Sequence, residues 1–141
     1  MSAQIFITDD LDSCLALRFQ VFVDEQGVPE EEERDALDET ATHLLAEQDG
    51  EPVGTARIVF GDDTAKIGRV CVLQSQRGTG LGAQLIEYAV EIARQRPGIT
   101  RAKLGAQLHA IGFYEKLGFA AFGPVYDDAG IDHRDMARDF T

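Results

Sequence analysis

A glycine-rich run at positions 76–82 constrains the fold of this chain more than any other feature. It follows a strand-like segment at 66–73 and precedes a helix-like segment at 81–94. Three glycines in five positions let the backbone turn tightly and approach a ligand without a Cβ in the way. Backbone N–H groups at a helix start bind phosphate, and Arg77 adds a positive charge that suits it. The run therefore predicts a site for a phosphorylated ligand.

The segments before this run alternate between strand and helix patterns. A short strand at 5–7 precedes a helix at 11–22, whose apolar residues recur every three or four positions, as one buried face requires. These apolar residues are Leu11, Leu15, Phe19 and Phe22. Three strands follow, at 43–48, 52–60 and 65–73. The pair Asp49-Gly50 predicts a two-residue hairpin between the first two of them.

The segments after the run complete an alternating order of elements. They are a helix at 81–94, a strand at 101–105, a helix at 109–116 and a closing hairpin of strands at 119–125 and 133–140. The predicted order is β-α-β-β-β-α-β-α-β-β, with a largely antiparallel first half and one crossover at the glycine run. We therefore expect an α/β (α+β) protein, and a chain of 141 residues fits a single domain, 1–141.

Charge and composition exclude several classes of protein. A net charge of -12 argues against a nucleic-acid partner, which needs a basic face. The sequence has no apolar run of membrane-spanning length and no signal-peptide pattern, so we expect no membrane partner and a cytoplasmic location. Acidic residues concentrate at 30–39, which indicates either a solvated segment or a negative field for a cationic substrate such as an amine. Cys14 and Cys71 form no metal or redox spacing, so we expect both to be reduced and buried, with no metal site.

Two nucleotide-binding patterns compete for the glycine run. A mononucleotide P-loop needs a lysine after its glycines, and none follows here. Gly78, Gly80 and Ala83 satisfy the dinucleotide pattern Gly-x-Gly-x-x-Ala. That pattern belongs after the first strand of a doubly wound domain, with an acid about 20 residues later. The run lies past mid-chain and residues 98–101 contain no acid, so a nucleotide-binding domain is the weaker alternative.

The pattern Arg77-x-x-Gly80-x-Gly82 resembles the acyl-CoA pyrophosphate loop of the GNAT N-acetyltransferase superfamily. Segment 107–119 resembles the second signature of that superfamily, Asn-x-x-Ala-x-x-Phe-Tyr-x-Lys-x-Gly-Phe, with Gln107 in place of the first Asn. Segment 18–26 and the C-terminal Gly-Ile-Asp-His sequence are similar to the small bacterial ElaA-type acetyltransferases. The resemblance implies the GNAT fold, a mixed central sheet of about six to seven strands flanked by helices.

The resemblance also implies roles for individual residues. The loop would hold the pyrophosphate of acetyl-CoA, and the strand before it would pair with the pantetheine amides and supply an oxyanion-stabilising N–H. The cofactor-binding residues implied are Val70, Cys71, Val72, Arg77, Gly78, Thr79, Gly80, Leu81, Gly82 and Gln107. Tyr114 matches the family tyrosine that protonates the thiolate, although Phe113-Tyr114 could instead be core packing. Lys116 fits either a surface charge or a contact to a cofactor phosphate.

The acceptor side is less defined by the sequence. Candidates for binding the acceptor are Arg18, Glu25, Gln26, His43 and His133, and Arg18 has an alternative role in pairing with a local carboxylate. Candidates for the general base are Glu25, His43, Glu47 and His133, with water as a further route for the proton.

We therefore expect an N-acetyltransferase that moves the acetyl group from acetyl-CoA to a primary amine by direct attack in a ternary complex. The amine belongs to a small molecule or a protein, and a homodimer is among the expectations because such folds often pair. Cys71 is the candidate for an acyl-enzyme route, which a buried strand thiol disfavours. The alternatives are a CoA-binding regulatory or interaction domain without turnover, and the nucleotide-binding domain above. Tyr114 favours the enzyme over the regulator.

Overall fold

The computed structural model describes residues 3–33 and 35–140, which form one seven-stranded mixed sheet. The strands are β1 (Gln4–Thr8), β2 (Thr42–Gln48), β3 (Glu51–Gly61), β4 (Thr64–Val72), β5 (Arg101–Gln107), β6 (Ala120–Asp128) and β7 (Ile131–Asp139). Their order across the sheet is β1-β2-β3-β4-β5-β7-β6. Strands β4 and β5 pair in parallel, and all the other neighbours pair antiparallel. The predicted fold class, strand number and single crossover are confirmed.

Helices cover both faces of the sheet. They are α1 (Leu11–Arg18), α2 (Glu30–Glu33), α3 (Leu81–Gln95) and α4 (Ile111–Lys116), with 3₁₀ turns at Ala36–Glu39, Gln74–Gln76 and Leu108–Ala110. Successive side chains on a strand point to opposite faces. On β2, Leu44 belongs to the core cluster of α3, and Leu45 belongs to a second cluster with Cys14 and Leu17 of α1. Helices α1 and α3 therefore lie on opposite faces of the sheet. None of the helices in the described residues is long and apolar enough to cross a membrane.

The first helix differs from the prediction in its length and its buried face. After α1 the chain continues as a wider π-helical segment, Phe19–Glu25, so helical backbone extends beyond the predicted end at residue 22. The buried side chains are Cys14, Leu17, Arg18 and Val21, whereas Phe19 is 40% exposed. The predicted face was wrong for Phe19, whereas Phe22 is partly buried against the cluster that contains Cys14, Leu17 and Val21. The buried positions repeat every three or four residues, as predicted, but they are other residues. Arg18 explains the error, because an arginine in the middle of a helix is normally assigned to the solvent side.

Two predicted hairpins are confirmed, with small differences in strand length. Asp49 and Gly50, between β2 and β3, both have positive φ angles, 54° and 80°, as the tight two-residue turn requires. Ala129 and Gly130, between β6 and β7, have φ angles of 54° and 83°. Strand β7 begins two residues before the predicted start, and β5 extends two residues beyond its predicted end.

The sheet opens in its middle, between β4 and β5. These strands pair only where Thr64–Lys66 faces Arg101–Lys103, and beyond those residues the register ends. On the other side of β4, the register with β3 shifts between Thr55 and Arg57. Arg69 lies at this irregularity with a φ angle of 52°, as expected in a β-bulge that bends the strand. The bend and the short parallel ladder together leave a gap in the sheet.

Candidate active site

A cavity of about 490 Å³ lies at the gap between β4 and β5. Its lining includes eight of the residues singled out from the sequence: Gln26, Val70, Cys71, Val72, Arg77, Gln107, Tyr114 and His133. The residues that follow Arg77 in the glycine loop continue from the edge of this cavity. Among the described residues, Arg18, Glu25, His43 and Glu47 do not line it. The structure thus brings five of the ten predicted cofactor residues to the cavity, leaves residues 78–82 outside its lining, and separates the cavity from several acceptor candidates.

The glycine loop leaves its backbone open. Gly78 and Gly80 have φ angles of 84° and 89°, in the region that side chains rarely adopt, and no atom lies within 4 Å of where a Cβ would stand. Gly80 is the N-cap of α3, and the next residue, Leu81, is 3% exposed and fixes the helix start in the core. The loop therefore presents the positive end of a 15-residue helix to open space, which fits a pyrophosphate.

Arg77 connects the loop to two other elements. Its Nε donates a hydrogen bond to the Val72 carbonyl at 3.2 Å, and its Nη2 donates to Glu25 Oε1 at 2.7 Å. Val72 is the last residue of β4, and Glu25 is the last residue of the π-helical segment. The guanidinium therefore connects the cofactor loop to the N-terminal helical segment, and Glu25 reaches the site through Arg77 rather than by lining the cavity.

Cys71 lies on β4 in a setting that opposes a nucleophilic role. It is 5% exposed, and burial raises the pKa of its thiol to about 12. Because the thiolate is the nucleophilic form of cysteine, a thiol with so high a pKa is unreactive at neutral pH. The described residues also contain no group of His, Cys, Asp and Glu side chains that could hold a metal ion.

Tyr114 lies on α4 and combines core packing with access to the cavity. Its ring makes edge-to-face contacts with Phe113, at 5.0 Å between centroids, and with Phe119, at 6.1 Å. Burial raises the pKa of the Tyr114 phenol above its ordinary value. The hydroxyl is therefore protonated at neutral pH, as a proton donor must be. Lys116, at the end of the same helix, is exposed and lies outside the cavity lining.

A chain of hydrogen bonds runs through the position of the family asparagine. Gln107 Nε2 donates to Gln26 Oε1 at 2.9 Å, and His109 Nε2 lies 2.8 Å from Gln107 Oε1. An amide oxygen only accepts hydrogen bonds, so His109 Nε2 carries the hydrogen. Gln107, the last residue of β5, thus connects the turn that precedes α4 to Gln26, which follows the π-helical segment. Sequence analysis missed His109, although its place two residues after Gln107, inside the second signature, was an available signal.

The C-terminal hairpin adds an aromatic wall to the cavity. The rings of Tyr126 and His133 stack with centroids 5.9 Å apart and planes 25° apart. The Tyr126 hydroxyl donates to Asp135 Oδ1 at 3.0 Å; burial and this hydrogen bond raise the pKa of Tyr126 to about 12. Gly105 leaves room for the phenol, because a Cβ there would clash with the Tyr126 hydroxyl. Sequence analysis missed Tyr126, since nothing local connects it to Gly105.

Arg18 is buried in an ion-pair network rather than exposed to a substrate. The side chain is 1% exposed. Its Nε donates to Glu33 Oε1 at 2.8 Å, and its Nη1 donates to Asp38 Oδ1 at 2.7 Å. The alternative role of Arg18, pairing with a local carboxylate, is confirmed.

Two further arginines complete this network. Arg57 Nη1 bonds to Asp35 at 2.7 Å and to Asp38 at 2.9 Å, and Arg69 lies 3.3 Å from both Glu33 and Asp35. Burial opposes ionisation of Asp38, but hydrogen bonds from two arginines outweigh it and hold the pKa of Asp38 well below its usual range. We call Arg18, Arg57, Arg69, Glu33, Asp35 and Asp38 the arginine–carboxylate network. It holds three charges of each sign.

The interpretation of the acidic segment as solvated holds for Glu30, Glu31 and Glu39, which are exposed, but the network corrects it for Glu33 and Asp38. Glu33 and Asp38 are 5% and 3% exposed, and both are neutralised by arginines from α1, β3 and β4. The alternative, a free negative field, does not describe these two residues either. Arg34, within the same acidic segment, lies outside the described residues.

His43 is also separated from the cavity. It is 6% exposed, and its Nε2 lies 2.9 Å from the Asp38 carbonyl oxygen, so Nε2 carries the hydrogen. Its Nδ1 is buried and has no hydrogen-bond partner among the described residues. Glu47, on β2, is half-buried. Neither residue is placed where a general base would reach the cavity.

Comparison with solved structures defines the class of this fold. An acyl-CoA N-acyltransferase from Pseudomonas aeruginosa is 34% identical and superposes with a TM-score of 0.88, covering 97% of this chain and 99% of that one. A Bacillus subtilis acetyltransferase solved in complex with CoA is 20% identical and shares the fold, with a TM-score of 0.71 and 99% coverage of both chains. The fold of this chain, with a sheet that opens at its parallel strand pair, is thus the fold of an N-acyltransferase.

Sequence comparison then gives the family. Residues 8–119 match the Acetyltransferase (GNAT) family. Protein ElaA of Escherichia coli K12 is 37% identical over 133 residues, which cover 92% of this chain and 87% of ElaA. The ElaA crystal structure is similar with a TM-score of 0.85 over 96% of this chain and 99% of that one. The chain belongs to the GNAT acetyltransferase family and is ElaA-like, as the sequence motifs predicted.

Proposed function

We propose that this protein transfers the acetyl group from acetyl-CoA to a primary amine by direct attack in a ternary complex. One observation carries the proposal: a single cavity is lined by Arg77 at the start of the open glycine loop, by the last residues of β4 and by Tyr114, whose hydroxyl is protonated. Acyl transfer from a thioester requires a loop that binds the cofactor, a strand that positions the thioester and an acid that protonates the leaving sulfur, all at one place. Membership of the GNAT family supports a CoA-based co-substrate.

The cofactor fits the protein mainly through backbone groups. Open N–H groups of the glycine loop, residues 78–82, would bind the pyrophosphate, with Arg77 at the entrance. The free edge of β4 beyond its three-residue pairing with β5 would bond to the pantetheine amides through residues 70–72, and Gln107 would lie beside them. A backbone N–H of this edge would stabilise the oxyanion.

The chemistry needs no covalent intermediate on the protein. The amine nitrogen attacks the thioester carbonyl carbon, the C–S bond breaks, and Tyr114 donates its proton to the departing sulfur. Cys71 supplies no alternative nucleophile, because burial raises the pKa of its thiol to about 12.

The proposed acceptor is a small-molecule or protein amine. We propose a single-domain enzyme that acts in the cytoplasm of a bacterium. A homodimer remains part of the proposal.

The second candidate is a CoA-binding domain without turnover, since a buried ion-pair network can also serve a rigid binding module. Tyr114 at the cavity favours turnover. A doubly wound nucleotide-binding domain is not compatible with the mostly antiparallel sheet.

Turnover with a panel of primary amines tests the proposal. Release of free CoA from acetyl-CoA is measured with each amine, and CoA binding is measured separately by calorimetry. We expect at least one amine to give steady CoA release. Binding of CoA without release in any amine would support the regulatory domain, and absence of CoA binding would contradict both.

Tyr114→Phe tests the role of the acid. Removing the phenolic hydroxyl should lower kcat by on the order of 10²-fold, the usual contribution of a general acid, while the Kd for CoA changes little. Phe113→Leu is the matched control, because Phe113 lies beside Tyr114 and packs against its ring without a hydroxyl. Unchanged kcat in Tyr114→Phe would remove the general-acid role.

A further inference from the structure

We propose that His133 is the general base that removes the proton from the acceptor amine. The proposal rests on the transferase function above and assigns its missing group. His133 lies on β7 and lines the same cavity as Tyr114. Three features carry the assignment: the tautomer that its hydrogen bond imposes, the fixed orientation of its ring, and the placement of the other candidate bases.

The hydrogen bond of His133 fixes its tautomer. Nδ1 lies 2.8 Å from the backbone carbonyl oxygen of Ile131. A carbonyl oxygen only accepts, so Nδ1 must carry the hydrogen, and in the neutral ring Nε2 is then the nitrogen with the lone pair. Within the described residues, Nε2 makes no hydrogen bond. A neutral imidazole with Nε2 available is the form that a general base requires.

The ring of His133 is held in place on one face by Tyr126. The two rings stack at 5.9 Å, and the Tyr126 phenol is in turn bonded to Asp135 at 3.0 Å. In the sheet register, His133 pairs with Tyr126 on one side and with Gln107 on the other. Stacking and the Nδ1 bond together restrict both torsions of the side chain, so the direction of Nε2 is set before substrate binds.

The other candidate bases lack this combination. His43 is buried outside the cavity lining, and Asp128 lines the cavity as an exposed side chain. His109 lines the cavity and bonds to Gln107 through one ring nitrogen, but it is exposed, and within the described residues no aromatic ring stacks on it. Glu33 lines the cavity, but its carboxylate oxygens are occupied by ion pairs with Arg18 and Arg69. Glu25 is paired with Arg77. His133 therefore combines cavity access, a ring nitrogen that makes no hydrogen bond within the described residues, and a ring held by stacking on Tyr126.

The proton and electron balance of the step is complete without a further reactant. Nε2 of His133 takes one proton from the acceptor ammonium, and the freed lone pair forms the C–N bond. The C–S bond then breaks, sulfur keeps the bonding pair, and Tyr114 gives sulfur a proton. A second proton passes from the nitrogen to the Tyr114 oxygen as the amide forms. The proton on His133 leaves to solvent, which regenerates both residues.

His133→Asn separates the base role from a structural role. The Asn amide nitrogen reaches approximately the position of Nδ1, so it can still donate to the Ile131 carbonyl, but nothing replaces Nε2. With acetyl-CoA and the best amine of the panel, we expect kcat to fall by on the order of 10²-fold or more, with the Kd for CoA nearly unchanged. Asp132→Asn is the matched control, because Asp132 is on the same strand, exposed and directed to the opposite face. It should keep wild-type kcat.

Rescue by a small molecule gives a second, independent signature. His133→Ala leaves space for an added imidazole, which should restore turnover in a concentration-dependent manner if the missing group is a base. A structural role predicts no rescue. If the wild-type protein turns over and His133→Asn has the same kcat, the assignment of His133 as the base is overturned, while the transferase function stands.

The tautomer can be measured without any substrate. Long-range ¹H–¹⁵N spectra of the wild-type protein at neutral pH should give the Nδ1–H form for His133. The Nε2–H form would overturn the proposal, even if no amine of the panel reacts. Absence of wild-type turnover with the Nδ1–H form present would instead count against the proposed function.

Discussion

The two sides of the cavity are built on different principles. We call the glycine loop and the end of β4 the cofactor side, after the role proposed for them. This side offers backbone groups, and two of its glycines have open space where a side chain would stand. We call the arginine–carboxylate network, against which the acidic segment packs, the network side. It relies on side chains, because three arginines bind three carboxylates. The first side depends on backbone conformation, and the second depends on charges that are buried only because they are paired. Substitutions should therefore affect the two sides in different ways.

The largest effect should come from Asp38→Ala, on the network side. The Asp38 side chain is 1% exposed and contacts both Arg18 and Arg57, so its removal leaves buried guanidinium groups without a partner. Breaking a buried pair in this way costs about 3–5 kcal/mol, and we expect a loss of that size in the free energy of unfolding measured by urea denaturation. Glu39→Ala, one residue away and exposed, should change it by less than about 0.5 kcal/mol. Equal effects would mean that the network contributes no more than a surface charge.

Acid should remove the same contribution. In the folded protein the pKa of Asp35 is lowered by its hydrogen bond to Arg57, and arginines also hold that of Asp38 below its usual range. A carboxyl group whose pKa is lower in the folded state than in the unfolded state stabilises the fold at any pH above its unfolded-state pKa, which is about 3.9. This stabilisation is lost progressively as the pH falls from that value toward the folded-state pKa. Urea unfolding from pH 7 to pH 3 should therefore give a difference between wild type and Asp38→Ala that shrinks below about pH 5. A difference that stays constant to pH 3 would contradict the coupling.

On the cofactor side, Gly80→Ala should have a smaller effect. Gly80 has a φ angle of 89° with nothing nearby, so a Cβ adds conformational strain without a clash, at a cost of about 1–2 kcal/mol. Gly82→Ala is the matched comparison, because Gly82 lies in the first turn of α3, and its Cβ would make an ordinary 3.7 Å contact with Phe113. There we expect no loss, or a gain of up to about 1 kcal/mol from helix propensity. Thermal unfolding without ligand measures both, and equal losses would show that backbone conformation is not what distinguishes the positions.

The smallest effect should come from Cys71→Ala, where the two sides meet. Because the thiol pKa is raised to about 12, its loss should leave kcat within about two-fold of wild type. Cys14→Ala is the control, since Cys14 belongs to the same buried cluster and lies on α1. Complete loss of turnover in Cys71→Ala alone, with CoA binding intact, would favour an acyl-enzyme over direct attack.

The sequence predicted what is encoded locally. The order of elements, the Asp49-Gly50 turn and the loop from Arg77 to Gly82 each depend on a few consecutive residues, and all appear in the structure where they were expected. Tyr114 and Gln107 were found because they belong to one contiguous motif, and the structure brings both to the cavity.

The sequence failed where contacts join distant residues. A carboxylate partner for Arg18 was among the predictions, but Asp38 is 20 residues away, and nothing in either segment identifies it as that partner or indicates that the pair is buried. The same holds for Tyr126 over Gly105, which depends on the register of β5 and β7. Charge alone suggested solvent exposure for Glu33 and Asp38, because burial of a charge becomes predictable only once its partner is known.

The short ladder between β4 and β5 has a consequence for how the molecule moves. Only three residue pairs join the four-stranded unit β1–β4 to the three-stranded unit β5–β7, whereas every other strand pair is joined over five or more. Local opening follows the boundary that breaks the fewest interactions. The cavity therefore lies along the line where the sheet is least cross-linked, and its width can fluctuate while each antiparallel ladder stays intact.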